Sequence, residues 1–365
     1  MIYLDNGATS FHKPPEVRQA VMRAMERCAN PGRGGYSAAM AAAQTVYRCR
    51  ETAGKLFSCD PEQVVFTSNC THGLNIAIRT LVKPGSRVLI SGFEHNAVTR
   101  PLHQLGVELH VAGQKLFDWT DMLTEFEKEL KKGVDAAVFT HVSNVFGYIL
   151  PVEKMAALCR QYQIPFAVDA AQSAGTLEVN LNQWGADFIA MPGHKGLLGP
   201  QGTGLLLCNR LPEPLLCGGT GSQSIQQEMP DYLPDRAEAG TVNVPGIAGL
   251  DAGMRYVNRI GVDRILHREQ LQVATCAKGL KKLGFQVFNG NHQGGTVSFV
   301  PNMDCEEAAQ YLAGHGVAVR AGLHCAPLAH RSAGTLETGT VRISFGHDAV
   351  PSQTTVFLKI AAGLR

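Results

Sequence analysis

Short apolar runs and helix-like segments alternate along most of the chain. Between residues 64 and 208, seven apolar runs have the length of buried strands: 64–67, 87–91, 108–112, 136–142, 165–170, 188–191 and 204–208. Several are separated by segments with helical spacing, such as 73–81, 119–131 and 152–162. This alternation predicts an α/β fold with a mostly parallel, seven-stranded sheet and helices on both of its faces.

The two ends of the chain have a different pattern. Residues 1–13 look extended and irregular, and helices are predicted from Pro14-Pro15 onwards and over 37–57. After Pro245, helices at about 247–260 and 262–283 precede short strands at 286–288, 296–300, 317–321 and 341–345, a helix at 305–315 and a last helix from about 352. We therefore predict a large domain over 14–250, and a small α+β domain formed by 1–13 and 251–365.

Composition narrows the class of protein. The chain has 365 residues, a net charge of +2 and 18% charged residues, so nothing favours a nucleic acid or an acidic membrane as partner. No basic segment followed by an apolar run begins the chain, and the long uncharged stretch 136–152 contains polar residues and a proline. The ten cysteines form no CxxC pair. We therefore expect a cytoplasmic protein with neither a metal site nor a disulfide framework.

One glycine-rich stretch, 191–204, suggests the chemistry. It carries Lys195 between a histidine and a glycine, and five glycines leave little side-chain bulk around the lysine. Asp169 ends another apolar run 26 residues earlier. Pyridoxal phosphate chemistry needs such a pair, because the lysine bonds to the cofactor's aldehyde and the acid keeps the pyridine nitrogen protonated. Alternatively, the stretch is a surface loop with a solvated lysine.

Polar residues follow the other predicted strands as well. In a parallel sheet, ligands bind outside the carboxyl ends of the strands, so these residues are candidates for one site. Thr71 begins a predicted helix after the first strand, and we expect it to be the N-cap and to bind a phosphate. Capping without any ligand explains Thr71 equally well. The later strands are followed by His95, by Asn144, by Asp169 with Gln172, and by His194 with Lys195.

Taken together, these motifs resemble those of a known enzyme group. The order Glu94-His95, Ser143-Asn144, Asp169-Ala-Ala-Gln172, Gly193-His-Lys195 and Ala239-Gly-Thr-Val-Asn243 is similar to that of class V aminotransferases, which are fold-type-I pyridoxal-phosphate enzymes. Within that group, Val319-Arg-Ala-Gly-Leu-His-Cys-Ala-Pro327 resembles the group II form of the cysteine desulfurase and selenocysteine lyase family. The resemblance extends from Tyr3 to about Gly346, and it implies the fold-type-I architecture.

The resemblance implies a role for each matching residue. Lys195 would hold pyridoxal 5'-phosphate and move protons, Asp169 would pair with the pyridine nitrogen, and His95 would stack on the ring. The remaining cofactor contacts would be Gln172 and Asn144, with Thr71, His72, His194 and the Thr241 of a second subunit around the phosphate of a homodimer. Asn144 and Arg342 would bind the substrate carboxylate, and Arg33 and Arg320 would line the entrance and the cysteine loop.

The specific reaction depends on Cys325. The resemblance implies that L-cysteine becomes L-alanine and leaves its sulfur as a persulfide on Cys325, for transfer to an acceptor protein and to iron–sulfur cluster assembly. Positive charge on the nearby Arg320 and His324 is expected to favour the thiolate of Cys325. Alternatively, Cys325 is an inert core cysteine.

The sequence departs from the family pattern at four places. Pro192 stands where a serine is common, His72 replaces an acidic residue, Leu323 replaces a histidine, and His347-Asp348-Ala349 replaces a Tyr-Asn-Thr type of run. The first two lie around the expected phosphate site. The other two lie beside the cysteine and the carboxylate-binding residues, where substrate preference is decided.

The same residues are compatible with other functions. A selenocysteine lyase would use the same residues on L-selenocysteine, and an aminotransferase, epimerase or C–S lyase would keep the cofactor but leave Cys325 idle. A dinucleotide-binding protein is disfavoured because no strand is followed by G-x-G-x-x-G. A non-catalytic sulfur-relay protein is disfavoured by the presence of Lys195, Asp169 and Arg342.

Overall fold

The computed structural model describes residues 1–32 and 34–364. Its strands are β1 (Ile2–Tyr3), β2 (Val64–Thr67), β3 (Arg87–Ser91), β4 (Glu108–Ala112), β5 (Ala136–Thr140), β6 (Phe166–Asp169), β7 (Phe188–Pro192), β8 (Gly204–Cys208), β9 (Gln286–Phe288), β10 (Thr296–Val300), β11 (Val317–Ala318), β12 (Arg320–Gly322) and β13 (Thr340–Ser344). Its helices are α1 (Pro15–Arg27), α2 (Ser37–Phe57), α3 (Cys70–Leu81), α4 (Asn96–Gln104), α5 (Trp119–Lys131), α6 (Val152–Gln161), α7 (Leu181–Trp184), α8 (Val244–Ile260), α9 (Val262–Lys282), α10 (Cys305–Gly314), α11 (Pro327–Ala333) and α12 (Pro351–Ala361). Short 3-10 turns occur at Pro61–Gln63, Asp235–Ala237 and Ala362–Leu364.

The large sheet contains the seven strands that the apolar runs predict. Its strand order is β2-β8-β7-β6-β5-β3-β4. The strands from β3 to β7 pair in parallel, and β8 runs antiparallel to both of its neighbours, β2 and β7. The prediction of an α/β fold with a mostly parallel, seven-stranded sheet is therefore confirmed.

Both faces of this sheet are covered by helices. Successive residues of β5 point to opposite sides: Ala137 and Phe139 belong to the apolar cluster that includes α2, α5 and α6, while Ala136 and Val138 belong to the cluster that includes α3 and α4. Burying one such phenylalanine stabilises the fold by about 1.5–3 kcal/mol. Because both faces are buried, β5 is apolar at every position, as parallel strands usually are.

A second, smaller sheet has the order β12-β13-β10-β9 and is antiparallel. It packs on α9, α10 and α12 through a cluster that contains Phe299 and Phe357. The N-terminal segment joins this region, because β1 pairs in parallel with β11 and Leu4 is fully buried. Part of the segment predicted to be irregular is thus a strand.

The division into two domains at residue 250 remains a prediction. The helix α8 runs through that residue without a break and packs on α1 and α2.

Two helices near the cavity described below were not predicted from the sequence. The helix α4 contains Pro101, which lacks the N–H needed for a regular helical hydrogen bond and so hides the helical pattern. The helix α11 is only seven residues long and begins with Pro327 at its first position. Both flank polar segments that carry candidate site residues.

The carboxyl of Glu269 generates a prediction about pH. This side chain on α9 is buried, and burial together with the nearby Asp348 raises its pKa to about 8. The folded chain therefore keeps a proton that the unfolded chain releases near its ordinary pKa of 4.5. Stability must fall as the pH rises from the lower to the higher pKa, by about 1.4 kcal/mol per pH unit for this group.

Replacement Glu269→Gln removes this proton-linked cost. We expect the free energy of unfolding of the variant, relative to the parent, to increase steadily between about pH 5 and about pH 7.5. Urea unfolding across that range measures it, with Glu26→Gln on the exposed face of α1 as the control. A difference that does not change with pH would show that Glu269 is ionised in the folded chain.

Candidate active site

One cavity lies at the carboxyl ends of β5, β6 and β7. Parallel strands place their last residues at the same edge, so side chains far apart in sequence meet there. Seven of the residues expected from the sequence line this cavity: Thr71, His95, Asn144, Asp169, Gln172, His194 and Lys195. Cys70, Thr140 and Pro192 line it as well.

The amine of Lys195 is held in a state suited to nucleophilic chemistry. It follows β7, and burial lowers its pKa, with the positive charges of Arg342 and Arg320 acting in the same direction. Asp169 and Cys70 oppose this shift. Because a neutral amine is the form that adds to a carbonyl group, the lowered pKa fits Lys195 for bonding to an aldehyde.

The carboxylate of Asp169 faces the same cavity from the end of β6. It is 2% exposed, and its Oδ1 accepts hydrogen bonds from the Ala171 backbone N–H at 2.8 Å and from the Cys70 thiol at 3.4 Å. A buried carboxylate of this kind is the partner that a protonated pyridine nitrogen requires. The contact with Cys70 was not anticipated from the sequence.

The imidazole of His95 is fixed by a helix cap. Its Nδ1 accepts a hydrogen bond from the Ala97 backbone N–H at 3.0 Å, which makes His95 the N-cap of α4. The ring proton therefore lies on Nε2. Burial lowers the pKa of His95, which favours this neutral form. A flat, neutral ring is thus anchored on the cavity wall, as stacking on a cofactor ring requires.

The start of α3 forms another wall of the cavity. The N-cap is Asn69, whose Oδ1 accepts from the His72 backbone N–H at 2.9 Å, so the prediction that Thr71 caps this helix is wrong. The reason is that α3 begins one residue before Thr71, whose side chain lies on the cavity wall instead. A Cβ on Gly204 would lie 2.8 Å from the Asn69 carbonyl carbon, so this glycine lets β8 approach the helix start closely.

Near the start of α3, the helix N-terminus is what attracts an anion, and a positively charged histidine is not. The N-terminal N–H groups of a helix attract anions such as phosphate. Burial and the neighbouring Lys195 and Lys13 lower the pKa of His194 to about 4, so its ring is neutral near pH 7. Its Nδ1 lies 3.0 Å from the Thr9 hydroxyl.

Two residues expected at the cofactor lie elsewhere, and one expected at the entrance is not described. His72 and Thr241 line a neighbouring cavity, together with Ser68. The His72 Nδ1 accepts from the Ser68 backbone N–H at 3.3 Å, and Thr241 is exposed. Arg33, expected at the entrance, lies outside the described residues. Within one chain, the structure therefore separates His72 and Thr241 from the other cofactor candidates.

A buried arginine lies beside the cavity. Arg342 on β13 is 2% exposed, and its Nη2 donates to the Asp5 carboxylate at 2.6 Å while Nη1 donates to the Asn144 carbonyl at 3.1 Å. Among the described residues, its Nε has no hydrogen-bond partner, and neither does the side-chain oxygen of Asn144. Buried polar atoms are rarely left unpaired in proteins, so the Arg342 Nε–H is open to a further acceptor. Asp5 also contacts the half-exposed Arg320 at 3.3 Å.

The loop that carries Cys325 is exposed but anchored. His324 and Cys325 have φ angles of 51° and 56°, a left-handed backbone that costs free energy for residues other than glycine. The Cys325 carbonyl accepts from the Asn96 N–H at 2.7 Å, and the His324 carbonyl accepts from the Asn144 amide at 2.8 Å. Both bonds join the loop to elements of the cavity, which holds the exposed thiol close to it.

The expectation that a charged His324 favours the Cys325 thiolate is wrong. His324 is buried and its ring stacks on that of His330, with centroids 5.7 Å apart. Burial, followed by the charge of Arg342, lowers the pKa of His324 to about 3, so the ring is uncharged near pH 7. Arg320 remains as the positive charge that the sequence placed near this cysteine.

Within 1–32 and 34–364, no group of three or more His, Cys, Asp and Glu side chains is arranged to hold a metal ion. Over the same ranges, no helix has the length and apolar character needed to cross a bilayer.

Comparisons with known proteins agree with this geometry. The sequence model of the class-V aminotransferase family matches residues 2–354. Proteins named probable cysteine desulfurase from Pyrococcus abyssi and from Methanothermobacter thermautotrophicus are each 33% identical, over 94% of this chain and 89% of their own length. A solved apo structure of a cysteine desulfurase from Thermococcus onnurineus is 32% identical, with a TM-score of 0.91 over all of this chain and 94% of that one.

The contact between Asp5 and Arg342 leads to a stability prediction. Replacement Asp5→Asn removes the charge that compensates the buried guanidinium, so we expect the free energy of unfolding to fall by about 3 kcal/mol. Replacement Arg320→Gln removes only the half-exposed partner and should cost at most about 1 kcal/mol. Denaturant unfolding of both variants checks this. Equal, small losses would mean that Asp5 does not compensate Arg342.

Proposed function

The chain belongs to the class-V aminotransferase family, and from that premise we propose that it is a pyridoxal-phosphate-dependent cysteine desulfurase. In this proposal L-cysteine is converted into L-alanine, and its sulfur remains as a persulfide on Cys325. The observation that carries the proposal is an exposed cysteine whose loop is hydrogen-bonded to a cavity containing Lys195 and Asp169. The names of the relatives from three archaeal genera support the same reaction.

The residues around the cavity fit pyridoxal 5'-phosphate. A buried acid, a lysine with a lowered pKa, a neutral imidazole and a helix N-terminus match its pyridine nitrogen, aldehyde, ring and phosphate. When bound, the cofactor stores the electron pair released from the substrate's Cα. We assign Lys195 to the aldehyde, Asp169 to the ring nitrogen and His95 to the ring face. Gln172 belongs at the phenolate oxygen, with Thr71 and His194 near the phosphate.

The unpaired Arg342 Nε–H next to this cavity suits the substrate's carboxylate. The Arg342 Nε–H is a free donor, and its positive charge attracts an anion. Asn144 contributes the second hydrogen of its side-chain NH2 group, whose first hydrogen is donated to the cysteine loop. A carboxylate held here orients the amino acid between Lys195 and Cys325. Arg320 stands at the exposed side of the same group and adds positive charge.

The chain's own residues then carry out the reaction in two stages. Lys195, as a neutral amine, takes the proton from the substrate's Cα and later returns a proton to the product. The Cys325 thiolate attacks the substrate's sulfur, so an S–S bond forms while the C–S bond breaks. L-cysteine and the Cys325 thiol thus yield L-alanine and the Cys325 persulfide, with no outside oxidant or reductant. A sulfur-acceptor protein would then take the outer sulfur from the exposed side chain.

We propose further that two chains form a homodimer, in which Thr241 of one chain reaches the phosphate of the other. Thr241 is exposed and lies apart from the cavity of its own chain. Exposed apolar side chains on α1 and α2 offer surface for a second copy, namely Met22, Met25, Met40 and Tyr47. Burial of such side chains is what drives association of subunits.

Replacement Cys325→Ser is expected to abolish formation of alanine from L-cysteine, because serine cannot accept the sulfur. Retention of pyridoxal phosphate, followed by its visible absorbance, should be unchanged, since Cys325 does not line the cofactor cavity. The matched control is Cys217→Ser, which removes the other cysteine that is exposed among the described residues. Alanine release at the parent rate from the Cys325 variant would contradict the proposal. The same assay with L-selenocysteine measures whether the parent enzyme prefers the sulfur or the selenium substrate.

A mixing experiment tests the role of Thr241 across subunits. Replacement Thr241→Val should weaken cofactor binding in the pure variant, and Lys195→Ala should be inactive. When the two variants are mixed and exchange subunits, the site that keeps Lys195 receives an intact Thr241 from its partner, so activity should return. If Thr241 serves its own chain, or if the protein sediments as a single 39.2 kDa chain, the mixture stays at the level of the Thr241 variant.

A further inference from the structure

Cys70 lines the cofactor cavity itself, whereas Cys325 lies on a loop outside its lining. It is the first residue of α3, it is 7% exposed, and its sulfur lies 3.4 Å from the Asp169 Oδ1. Burial and the negative charge of Asp169 raise its pKa well above the ordinary range, so it remains a protonated thiol. A protonated thiol is a poor nucleophile but a hydrogen-bond donor.

The hydrogen bonds to Asp169 are distributed unevenly between its two oxygens. Oδ1 receives both the Ala171 N–H and the Cys70 thiol. Among the described residues, no donor contacts Oδ2. Two donors on one oxygen restrict rotation of the carboxylate, because rotation would break both bonds at once. One oxygen is therefore tied to the protein and the other is left for a ligand in the cavity.

We propose that Cys70 is a positioning residue, whose thiol orients Asp169 so that the free oxygen meets the pyridine nitrogen of the cofactor. This inference rests on the proposed cofactor site. In metal sites, residues that orient a ligating side chain change the affinity without touching the metal, and Cys70 has the same relation to the cofactor. The side chain of Cys70 also packs in the apolar cluster beneath the sheet, which keeps the sulfur in place.

The position of Cys70 explains why a neutral donor suits this site. A charged donor would compete with the ring nitrogen for the negative charge of Asp169. A thiol adds a weak hydrogen bond without adding charge. Cys70 and the Ala171 backbone N–H thus orient Asp169 without placing a further charge beside it.

The test compares pyridoxal phosphate with its 1-deaza analogue, which has carbon in place of the ring nitrogen. Replacement Cys70→Ala should raise the dissociation constant for pyridoxal phosphate about fivefold, or about 1 kcal/mol, and leave that for the analogue within about twofold. Replacement Cys70→Ser retains a donor and should restore the parent's preference for the nitrogen-containing cofactor. Melting temperatures of the cofactor-free variants show whether each one is folded.

The outcomes separate this inference from the proposed function. Equal weakening of both ligands by Cys70→Ala, or no weakening at all, would show that Cys70 only fills space. Failure of Cys70→Ser to restore the preference would equally overturn the inference. If the unaltered protein binds neither ligand, the proposed function itself fails. The binding measurements need no turnover, so they are independent of the reaction at Cys325.

Discussion

The parallel pairing of β6 with β7 is the constraint on which the site depends. It sets Asp169 opposite Ala190, and the chain then turns through the glycine-rich segment that carries Lys195. Hydrogen bonds from Gly193 to Thr203 and from Gly199 to Gly193 hold that turn closed. A carboxylate and an amine are thereby buried near each other. The charge of Asp169 opposes the fall in the pKa of Lys195, although burial still dominates.

The smaller sheet and the N-terminal segment contribute further residues to the proposed site. Asp5 follows β1 and bridges Arg342 and Arg320, which come from neighbouring strands of the small sheet. This bridge joins Arg342, proposed to bind the substrate's carboxylate, to the base of the loop that carries Cys325. The loop itself has a left-handed backbone and is hydrogen-bonded to Asn96 and Asn144. The proposed sulfur-accepting thiol thus belongs to a residue with strained backbone, in a loop that hydrogen bonds hold in place. Strained backbone of this kind is typical of functional sites.

The sequence predicted the sheet well because buried parallel strands leave a strong trace as short apolar runs. It also predicted that polar residues after several strands would meet at one edge of the sheet, and seven of them line one cavity. It could not predict the contact between Cys70 and Asp169, which joins residues 99 positions apart. The neutrality of His324 depends on burial and on stacking with His330, neither of which sequence spacing reveals. Pro101 concealed α4, and Asn69 displaced Thr71 as the cap because helix starts are set by local hydrogen bonds.

The central claim is that L-cysteine bound in the cavity around Lys195 transfers its sulfur to Cys325. The direct measurement supplies L-cysteine carrying a heavy sulfur isotope to the enzyme loaded with pyridoxal phosphate, and maps the label on its peptides by mass spectrometry without reductant. The account predicts that the peptide containing Cys325 gains the mass of one labelled sulfur, and that a Lys195→Ala variant gains none. Label on the peptide of Cys217 or Cys70 instead, or label on Cys325 without Lys195, would contradict it.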